Sequence, residues 1–273
     1  MTAAIPAAAL ESRYFTTSDG VRLHYLQGGQ GQTLVFVPGW SMPADIFAPQ
    51  LERFARTHRV IAFDPRSQGR SAIAASGHNP ERRGDDLAEL IAKIGAGAGG
   101  SLVLVGWSLG VLDSLAYVQR HGDAAVAAFV WIDNSIGEEP PPQSTFNMPA
   151  ALLKDRNGMV KSFVRAMFKQ PRDEAYLDRL TETVLRVPLG AQIQLISYPW
   201  PRDKWRQVVY SSNRPVLYAV TPRWAEQGAN LKRNHPRATV EVFEKAGHAL
   251  FVDEPARFNN LLEWFLAEWA APR

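Results

Sequence analysis

The 273-residue sequence contains no cysteine, which excludes disulfide bonds, thiolate metal sites and a cysteine nucleophile. It also has no run of about 18 apolar residues, the length that a membrane-spanning helix needs. Residues 1–12 lack a basic segment, and Pro6 interrupts their apolar stretch, so a secretory signal peptide is not expected. These absences predict a soluble, cytoplasmic protein that binds no membrane.

The sequence also lacks dense clusters of charged residues of either sign. Lysine and arginine number 30 against 27 aspartates and glutamates, and no dense basic tract is present, so nucleic acid is not expected as a partner. No H-E-x-x-H motif, glycine-rich phosphate loop or dense acidic cluster occurs, and we expect neither a metal nor another cofactor. Self-association into a homo-oligomer is left open.

Short apolar runs alternate with helical patterns along the first half of the chain. The runs are continuous rather than alternating, which is typical of strands buried on both faces of a parallel sheet. Helical spacing of apolar residues follows at 86–94 and 109–118. The four runs are residues 33–37, 59–64, 101–106 and 126–133.

This alternation stops after Asp133 and returns later. A proline-rich stretch at 137–143 leads into helical spacing, and strand-like runs reappear at 215–220 and 238–244 before a final amphipathic helix. The pattern predicts a core interrupted by a helical cap. The boundaries we predict are 1–134 for the first part of the core, 135–207 for the cap and 208–273 for the second part of the core.

The sharpest chemical signal is Gly106-Trp107-Ser108-Leu109-Gly110, between an apolar run and an amphipathic helix. A serine on a strained strand-to-helix turn needs small residues two positions away on either side, because larger side chains would collide with the turn. The turn would also place Ser108 at a helix N-terminus, where backbone N–H groups favour negative charge. Ser108 is therefore the candidate nucleophile.

A serine nucleophile needs a base, and His248 is the candidate among six histidines. It follows the last strand-like run and precedes the final helix, where loops gather at the edge of a parallel sheet. An oxyanion would need two donors. We expect these to be the backbone N–H of Leu109, directly after the nucleophile, and that of Trp40, in the loop after the run at 33–37.

Taken in order, these segments resemble the α/β-hydrolase superfamily. The motifs are Pro38-Gly39-Trp40, DPRSQGRS at 64–71, the serine turn at 106–110, and AGHALFVDEP at 246–255. The resemblance implies an α/β fold with a mostly parallel eight-stranded sheet flanked by helices, a helical cap inserted after strand six, and a Ser–acid–His triad. This chain has Pro38-Gly39 where the family usually has His-Gly, a change that leaves the Trp40 N–H in place.

The third triad member does not stand at its usual position. In most relatives the acid follows the seventh strand, where this sequence has Trp224. Glu226 is close by, but a minority of the superfamily, including some haloalkane dehalogenases and cofactor-free quinolone dioxygenases, carries the acid after strand six, where Asp133 stands. A buried carboxylate is costly unless paired, which also favours Asp133. We expect Asp253, five residues after His248, to cap the final helix.

The combined reading is a serine hydrolase of small-molecule carboxylic esters with apolar acyl or aryl groups, acting through Ser108, His248 and Asp133. Met148, Phe163 and other apolar cap residues are first of all helix packing and could also roof the pocket. Two alternatives share the fold: a cofactor-free dioxygenase that uses a His–Asp base, and a perhydrolase or haloperoxidase activity.

Overall fold

The computed structural model describes residues 9–270 except 100, 144–145 and 198. Residues 1–8, on which much of the signal-peptide prediction rests, and 271–273 lie outside the described residues. One sheet of eight strands runs through the molecule in the order β1-β2-β4-β3-β5-β6-β7-β8. The strands are β1 (Glu11–Thr16), β2 (Arg22–Gly28), β3 (Thr33–Val37), β4 (Arg59–Asp64), β5 (Leu102–Trp107), β6 (Val126–Ile132), β7 (Val216–Val220) and β8 (Ala238–Val242).

Pairing is antiparallel at β1–β2 and β2–β4 and parallel across the other strands. Every residue of β3, β5 and β7 is buried, in keeping with their continuous apolar sequences. The predicted mostly parallel eight-stranded sheet is confirmed. Because the parallel strands point the same way, the loops after β3, β4, β5, β6, β7 and β8 meet at one edge, where their polar residues can assemble.

Helices flank the sheet and also fill the chain between β6 and β7. The segment α4 to α8 stands where the sequence predicts a cap, and α8 ends beyond the boundary predicted at residue 207. The helices are α1 (Ala48–Phe54), α2 (Pro80–Lys93), α3 (Leu109–His121), α4 (Met148–Lys154), α5 (Arg156–Ala166), α6 (Glu174–Arg186), α7 (Leu189–Leu195), α8 (Arg202–Ser211), α9 (Ala225–Asn234), α10 (Leu250–Asp253) and α11 (Pro255–Trp269).

The inserted helices pack on the loops that follow β3 and β4. The Arg186 guanidinium, at the end of α6, donates to the carbonyl oxygens of Gly69 at 2.8 Å and Ser71 at 2.7 Å. The Trp40 indole donates to the carbonyl of Gln192 in α7 at 2.9 Å, and the Trp40 ring meets Phe163 of α5 edge-on at 5.1 Å. The inserted helices therefore cover the edge of the sheet where the loops gather.

The loop after β4 is held by Asp64. Its carboxylate accepts hydrogen bonds from the N–H groups of Ala44 at 2.6 Å and Arg70 at 2.9 Å, and it pairs with His24 Nδ1 at 2.7 Å. All three partners of the Asp64 carboxylate are groups of the protein itself. In the same loop, Arg66 forms an ion pair with Asp86 at 2.7 Å. The side chains of Asp64 and Arg66 thus serve the structure of this loop, and Arg70 contributes its backbone N–H. None of the helices in the described ranges is both long and apolar enough to cross a bilayer.

His78 makes the fold sensitive to acid. Its side chain is buried and shares a hydrogen bond of 2.9 Å with Ser67 Oγ, and burial, aided by the charges of Arg83 and Arg66, lowers the pKa of His78 to about 4. The folded protein keeps this ring neutral down to about pH 4, whereas an unfolded chain protonates it near 6.5. Stability from this group is thus complete above pH 6.5 and is lost as the pH falls from 6.5 to about 4.

Replacing His78 with glutamine is expected to reduce this loss, by up to about 3 kcal/mol of unfolding free energy across the window. Urea unfolding of both proteins at about pH 7 and about pH 4.5 measures the difference. The exposed Lys154, changed to glutamine, is the control, because this change leaves His78 and its contacts in place, and it is expected to keep the wild-type loss. An equal loss in the His78 variant would contradict the role of the buried ring.

Candidate active site

Ser108 lies on a tight turn between β5 and α3. Its backbone has φ 53° and ψ −121°, a conformation that costs energy for a residue with a Cβ. The turn is fixed from both sides, because the Ser108 N–H donates to Ile132 O at 2.9 Å and the Ser108 carbonyl accepts from Val111 at 2.9 Å. The Ser108 hydroxyl group is therefore held at the edge of the sheet, beside the first turn of α3.

The two glycines of the motif are required by close backbone contacts. A Cβ at Gly106 would lie 2.4 Å from Gly110 O, and one at Gly110 would lie 2.2 Å from Val37 O. Gly39 is equally constrained, since its Cβ would lie 2.9 Å from Ser108 Cβ. The loop after β3 thus lies directly against the serine turn, and only glycine at these positions permits the approach.

His248 follows β8 and faces Ser108. The distance from His248 Nε2 to Ser108 Oγ is 2.9 Å, and the distance from His248 Nδ1 to Asp133 Oδ2 is 2.7 Å. Trp107 supports the ring, because its indole N–H donates to His248 O at 2.8 Å and its ring centroid lies 5.2 Å from that of His248. The three predicted residues therefore form one hydrogen-bonded chain.

The other five histidines form hydrogen bonds with residues outside the Ser108–His248–Asp133 triad. Of the six histidines, the structure therefore brings only His248 to the serine turn. Their partners are Asp64 and Ser12 for His24, Thr57 for His58, Ser67 for His78, Asp85 for His121, and Ser212 O for His235.

Asp133 directly follows β6 and has a buried side chain, with 3% of it exposed. Its Oδ2 faces His248, while its Oδ1 accepts hydrogen bonds from both the N–H and the hydroxyl of Thr221, each at 2.7 Å. The alternative acid, Glu226, lies exposed in the first turn of α9. Trp224, at the position where relatives usually carry the acid, is buried at 6% exposure.

The strand after the insertion also shapes the Asp133 turn. Asp133 has φ 46°, its N–H donates to Ala219 O at 3.0 Å, and the next carbonyl, Asn134 O, accepts from the Tyr218 hydroxyl at 2.6 Å. Burial and the nearby Asp133 carboxylate raise the pKa of Tyr218 well above its ordinary value, which keeps the hydroxyl protonated as a donor. Sequence reasoning missed Tyr218 and Thr221, and the one available signal was a polar residue directly after a buried strand.

The two candidate oxyanion donors flank the serine. Leu109 is the first residue of α3, so its N–H has no acceptor within the helix. Trp40 follows Gly39, which packs on Ser108, and the Trp40 N–H has no hydrogen-bond acceptor among the residues that the structure describes. Two backbone donors next to the nucleophile are thus available for a negatively charged oxygen.

The expected role of Asp253 as a helix cap is wrong. The N-cap of α11 is Glu254, and no side chain caps this helix. The buried Asp253 carboxylate instead accepts from the N–H groups of Gly247 and Lys169, each at 2.7 Å, and from Arg172 at 2.7 Å. It ties the His248 loop to the segment between α5 and α6, a contact between residues far apart in sequence that local spacing does not reveal.

Two cavities lie near this edge of the sheet. The larger, of about 310 Å³, is lined by charged residues that include Asp45, Asp64, Arg70 and Arg186, together with apolar ones, and it does not include Ser108 or His248. The smaller, of about 10 Å³, is lined by apolar residues such as Leu109 and Trp205 and by polar residues such as His78, Arg83 and Asp113. That volume holds about one water molecule. Neither cavity is lined by Ser108 or His248.

Potential metal ligands are not clustered. Within the described ranges, no group of three or more histidine, aspartate or glutamate side chains is arranged to hold an ion. The sequence-based expectation that the protein uses no metal or other cofactor stays a prediction.

The comparisons with known proteins show the family. The chain belongs to the alpha/beta hydrolase family, whose model matches residues 34–261. The predicted resemblance is thereby confirmed. An esterase from Exiguobacterium antarcticum has the same fold, with a TM-score of 0.83 over 94% of this chain and 100% of that chain at 21% identity.

Two curated relatives match shorter stretches of the chain. A non-heme haloperoxidase of Rhodococcus erythropolis is 36% identical over 129 residues, which are 47% of this chain and 44% of that protein. A bifunctional esterase/perhydrolase of Acinetobacter calcoaceticus is 33% identical over 122 residues, 44% of this chain and 43% of that protein. The matched stretches thus span less than half of either relative.

Proposed function

We propose that this alpha/beta hydrolase is a serine esterase that cleaves carboxylic esters through an acyl-enzyme. The observation that carries the proposal is the hydrogen-bonded chain from Ser108 through His248 to the buried Asp133, at 2.9 and 2.7 Å. A hydroxyl, an imidazole and a carboxylate in this order activate a nucleophile that is weak by itself.

Acylation begins with the proton of Ser108. With its own ring proton on Nδ1 and donated to Asp133, His248 accepts the serine proton at Nε2 while Oγ attacks the ester carbonyl. The N–H groups of Trp40 and Leu109 would receive the developing oxyanion, and losing one such donor typically costs about 3 kcal/mol of barrier. His248 then returns the proton to the leaving alcohol, which departs.

Deacylation repeats the sequence with water. His248 takes a proton from water, the hydroxide attacks the acyl carbonyl, and the carboxylic acid leaves as Ser108 regains its proton. Throughout, Asp133 would stabilise the charged imidazole without taking its proton.

We infer a preference for short apolar acyl or aryl groups. Trp40 is buried and packs on Phe163, so the space between the β3 loop and α5 is apolar. Phe163 belongs to α5, so the inserted segment contributes an apolar side chain beside the loop that carries one candidate oxyanion donor. Apolar acyl or aryl groups fit these surroundings, and their small size is taken from the sequence-based hypothesis.

Turnover of p-nitrophenyl esters with acyl groups from acetyl to dodecanoyl tests both parts of the proposal. We expect release of p-nitrophenol with kcat/KM highest for the short acyl groups and lower by about tenfold or more for dodecanoyl. The Ser135→Ala variant, which loses a nearby hydroxyl that bonds to Gln227, is the control and is expected to keep the wild-type activity. No turnover of any ester by folded protein would contradict the esterase proposal, and a maximum at long chains would contradict the acyl preference alone.

A second candidate activity is perhydrolysis, favoured by the similarity to the bifunctional esterase/perhydrolase of Acinetobacter calcoaceticus. In this reaction hydrogen peroxide replaces water, attacks the acyl-enzyme and leaves as a peracid while Ser108 regains its proton. Peracid formed from an ester and peroxide, and absent with Ser108→Ala, would support it.

Cofactor-free dioxygenation is the remaining alternative from the sequence. Oxygen uptake with a hydroxyquinolone and no ester turnover would favour it over the esterase. The cytoplasm remains our proposed compartment and a small-molecule ester our proposed partner, both on the sequence features.

A further inference from the structure

The candidate triad acid, Asp133, is hydrogen-bonded by the residue that follows β7, a strand that contains no acidic residue. Thr221 is the residue directly after β7, and both its N–H and its hydroxyl donate to Asp133 Oδ1 at 2.7 Å. The other oxygen, Oδ2, is left to face His248 Nδ1 at 2.7 Å. The carboxylate is thus bonded on both oxygens, and each oxygen has separate partners.

We propose that Thr221 is a positioning residue that acts through Asp133: its two donors fix the plane of the carboxylate so that Oδ2 meets the His248 ring. This inference rests on the proposed function, in which Asp133 is the triad acid.

Sheet register brings the two residues together. The Asp133 N–H donates to Ala219 O at 3.0 Å, which continues the parallel β6–β7 pairing by one residue. Thr221 follows two residues after Ala219, directly beyond the end of β7. The Asp133 backbone and its side chain therefore both bond to the same short segment of β7. A shift of either strand would move the carboxylate relative to His248.

Pro222 fixes Thr221 in the required backbone conformation. The residue before a proline avoids the helical region and adopts an extended ψ, and Thr221 has φ −78° and ψ 167°. The turn closes when Trp224 N–H donates to Thr221 O at 3.1 Å. The carbonyl of Thr221 is thereby used by the turn, while its N–H and hydroxyl face Asp133.

The two hydrogen bonds from Thr221 matter for the orientation of Asp133 because the carboxylate is buried. With 3% of the Asp133 side chain exposed, water is an ineffective substitute for a lost protein donor. The backbone N–H cannot be removed by substitution without proline, but the hydroxyl can. Without it, Oδ1 keeps one donor and the carboxylate is freer to rotate away from His248.

Thr221→Val removes the hydroxyl and keeps the shape of the side chain. We expect kcat for a short p-nitrophenyl ester to fall about 10- to 100-fold, the range for a hydrogen bond to a charged group, with KM within about twofold. Thr221→Ser restores the donor and is expected to recover kcat to within about threefold. Thr221→Ala, which removes the hydroxyl without leaving a methyl beside the carboxylate, is read in the same way if the valine variant folds poorly.

A double-mutant cycle separates positioning from general destabilisation. If Thr221 acts through Asp133, adding Thr221→Val to Asp133→Asn lowers kcat no further than Asp133→Asn alone. Thr181→Val, which removes a hydroxyl bonded to Leu177 O in α6 at 2.8 Å, is the matched control and is expected to keep wild-type kcat. Thermal unfolding checks that each variant is folded at the assay temperature.

Three results would overturn the inference: full activity in folded Thr221→Val, no recovery in Thr221→Ser, or an equal further loss on the Asp133→Asn background. The proposed function fails separately. Activity that survives Asp133→Asn refutes Asp133 as the acid, whereas loss in Asp133→Asn with full activity in Thr221→Val refutes only the role of Thr221.

Discussion

Ser108→Ala is expected to lower kcat for p-nitrophenyl acetate by roughly 10⁴- to 10⁶-fold, the range seen when a triad nucleophile is removed. The reason is that Ser108 Oγ, at 2.9 Å, is the only hydroxyl within hydrogen-bond distance of His248 Nε2 among the described residues. KM is expected to change little, because the N–H groups of Trp40 and Leu109 remain. Steady-state kinetics with matched protein concentrations measure the effect.

The control for this variant is Ser135→Ala, another part-buried serine, which lies two residues after Asp133 and bonds to Gln227 Oε1 at 3.1 Å. It is expected to keep kcat within about threefold, since its hydrogen bond is an ordinary neutral one. Thermal unfolding of Ser108→Ala is expected to show a fold at least as stable as wild type, because alanine at φ 53° replaces a serine equally strained. Comparable activity in Ser108→Ala and wild type would refute the nucleophile assignment.

Asp133→Asn is expected to lower kcat by about 10⁴-fold, the loss known for this change in other triads. Thr221 donates twice to Oδ1, so the carbonyl oxygen of an asparagine takes that place and its NH₂ faces His248 Nδ1. The ring must then accept at Nδ1 and carry its proton on Nε2. In that tautomer His248 has no lone pair to take the proton of Ser108.

Glu226→Gln is the matched comparison, because Glu226 is the alternative acid and lies exposed in α9. It is expected to leave kcat within about twofold of wild type, as for a solvated surface charge. A pH profile of kcat/KM for each variant reports whether the base has changed. The reverse pattern, a large loss with Glu226→Gln and little with Asp133→Asn, would transfer the role of acid to Glu226.

Much of the sheet could be predicted because its central strands are continuous apolar runs in the sequence. Runs such as 33–37 and 101–106 are apolar without alternation, and the structure buries every residue of β3 and nearly all of that second run. The inserted helices were predicted from the break in the strand–helix alternation after Asp133. Their end was less predictable, and α8 runs on to Ser211 because its apolar face, with Trp205, Val208 and Val209, is buried.

The candidate site could be assembled from sequence as far as chain order allows. Ser108 and His248 carry local signals, a glycine-flanked turn and a position after the last strand, and Asp133 gained weight because Trp224 stands where an acid is usual. The structure brings the three side chains within hydrogen-bond distance. Their catalytic roles stay predictions until the variants above are measured.

Contacts between distant segments could not be predicted. The bonds from Thr221 to Asp133 depend on the register of β6 against β7, which no local pattern encodes. Asp253 was misjudged for the same reason, since its donors Lys169 and Arg172 come from the inserted segment. Sequence spacing identifies which residue types can act, and long-range packing decides what they bond to.

Covalent labelling with a fluorophosphonate tests the proposed nucleophile most directly, because the reagent modifies only an activated serine and needs no knowledge of the substrate. Peptide mass mapping of the wild-type protein is predicted to find one adduct, on Ser108, with activity lost in proportion to labelling. Ser108→Ala is predicted to remain unlabelled. Labelling that persists in this variant, or inactivation of the wild type with Ser108 unmodified, would contradict the assignment.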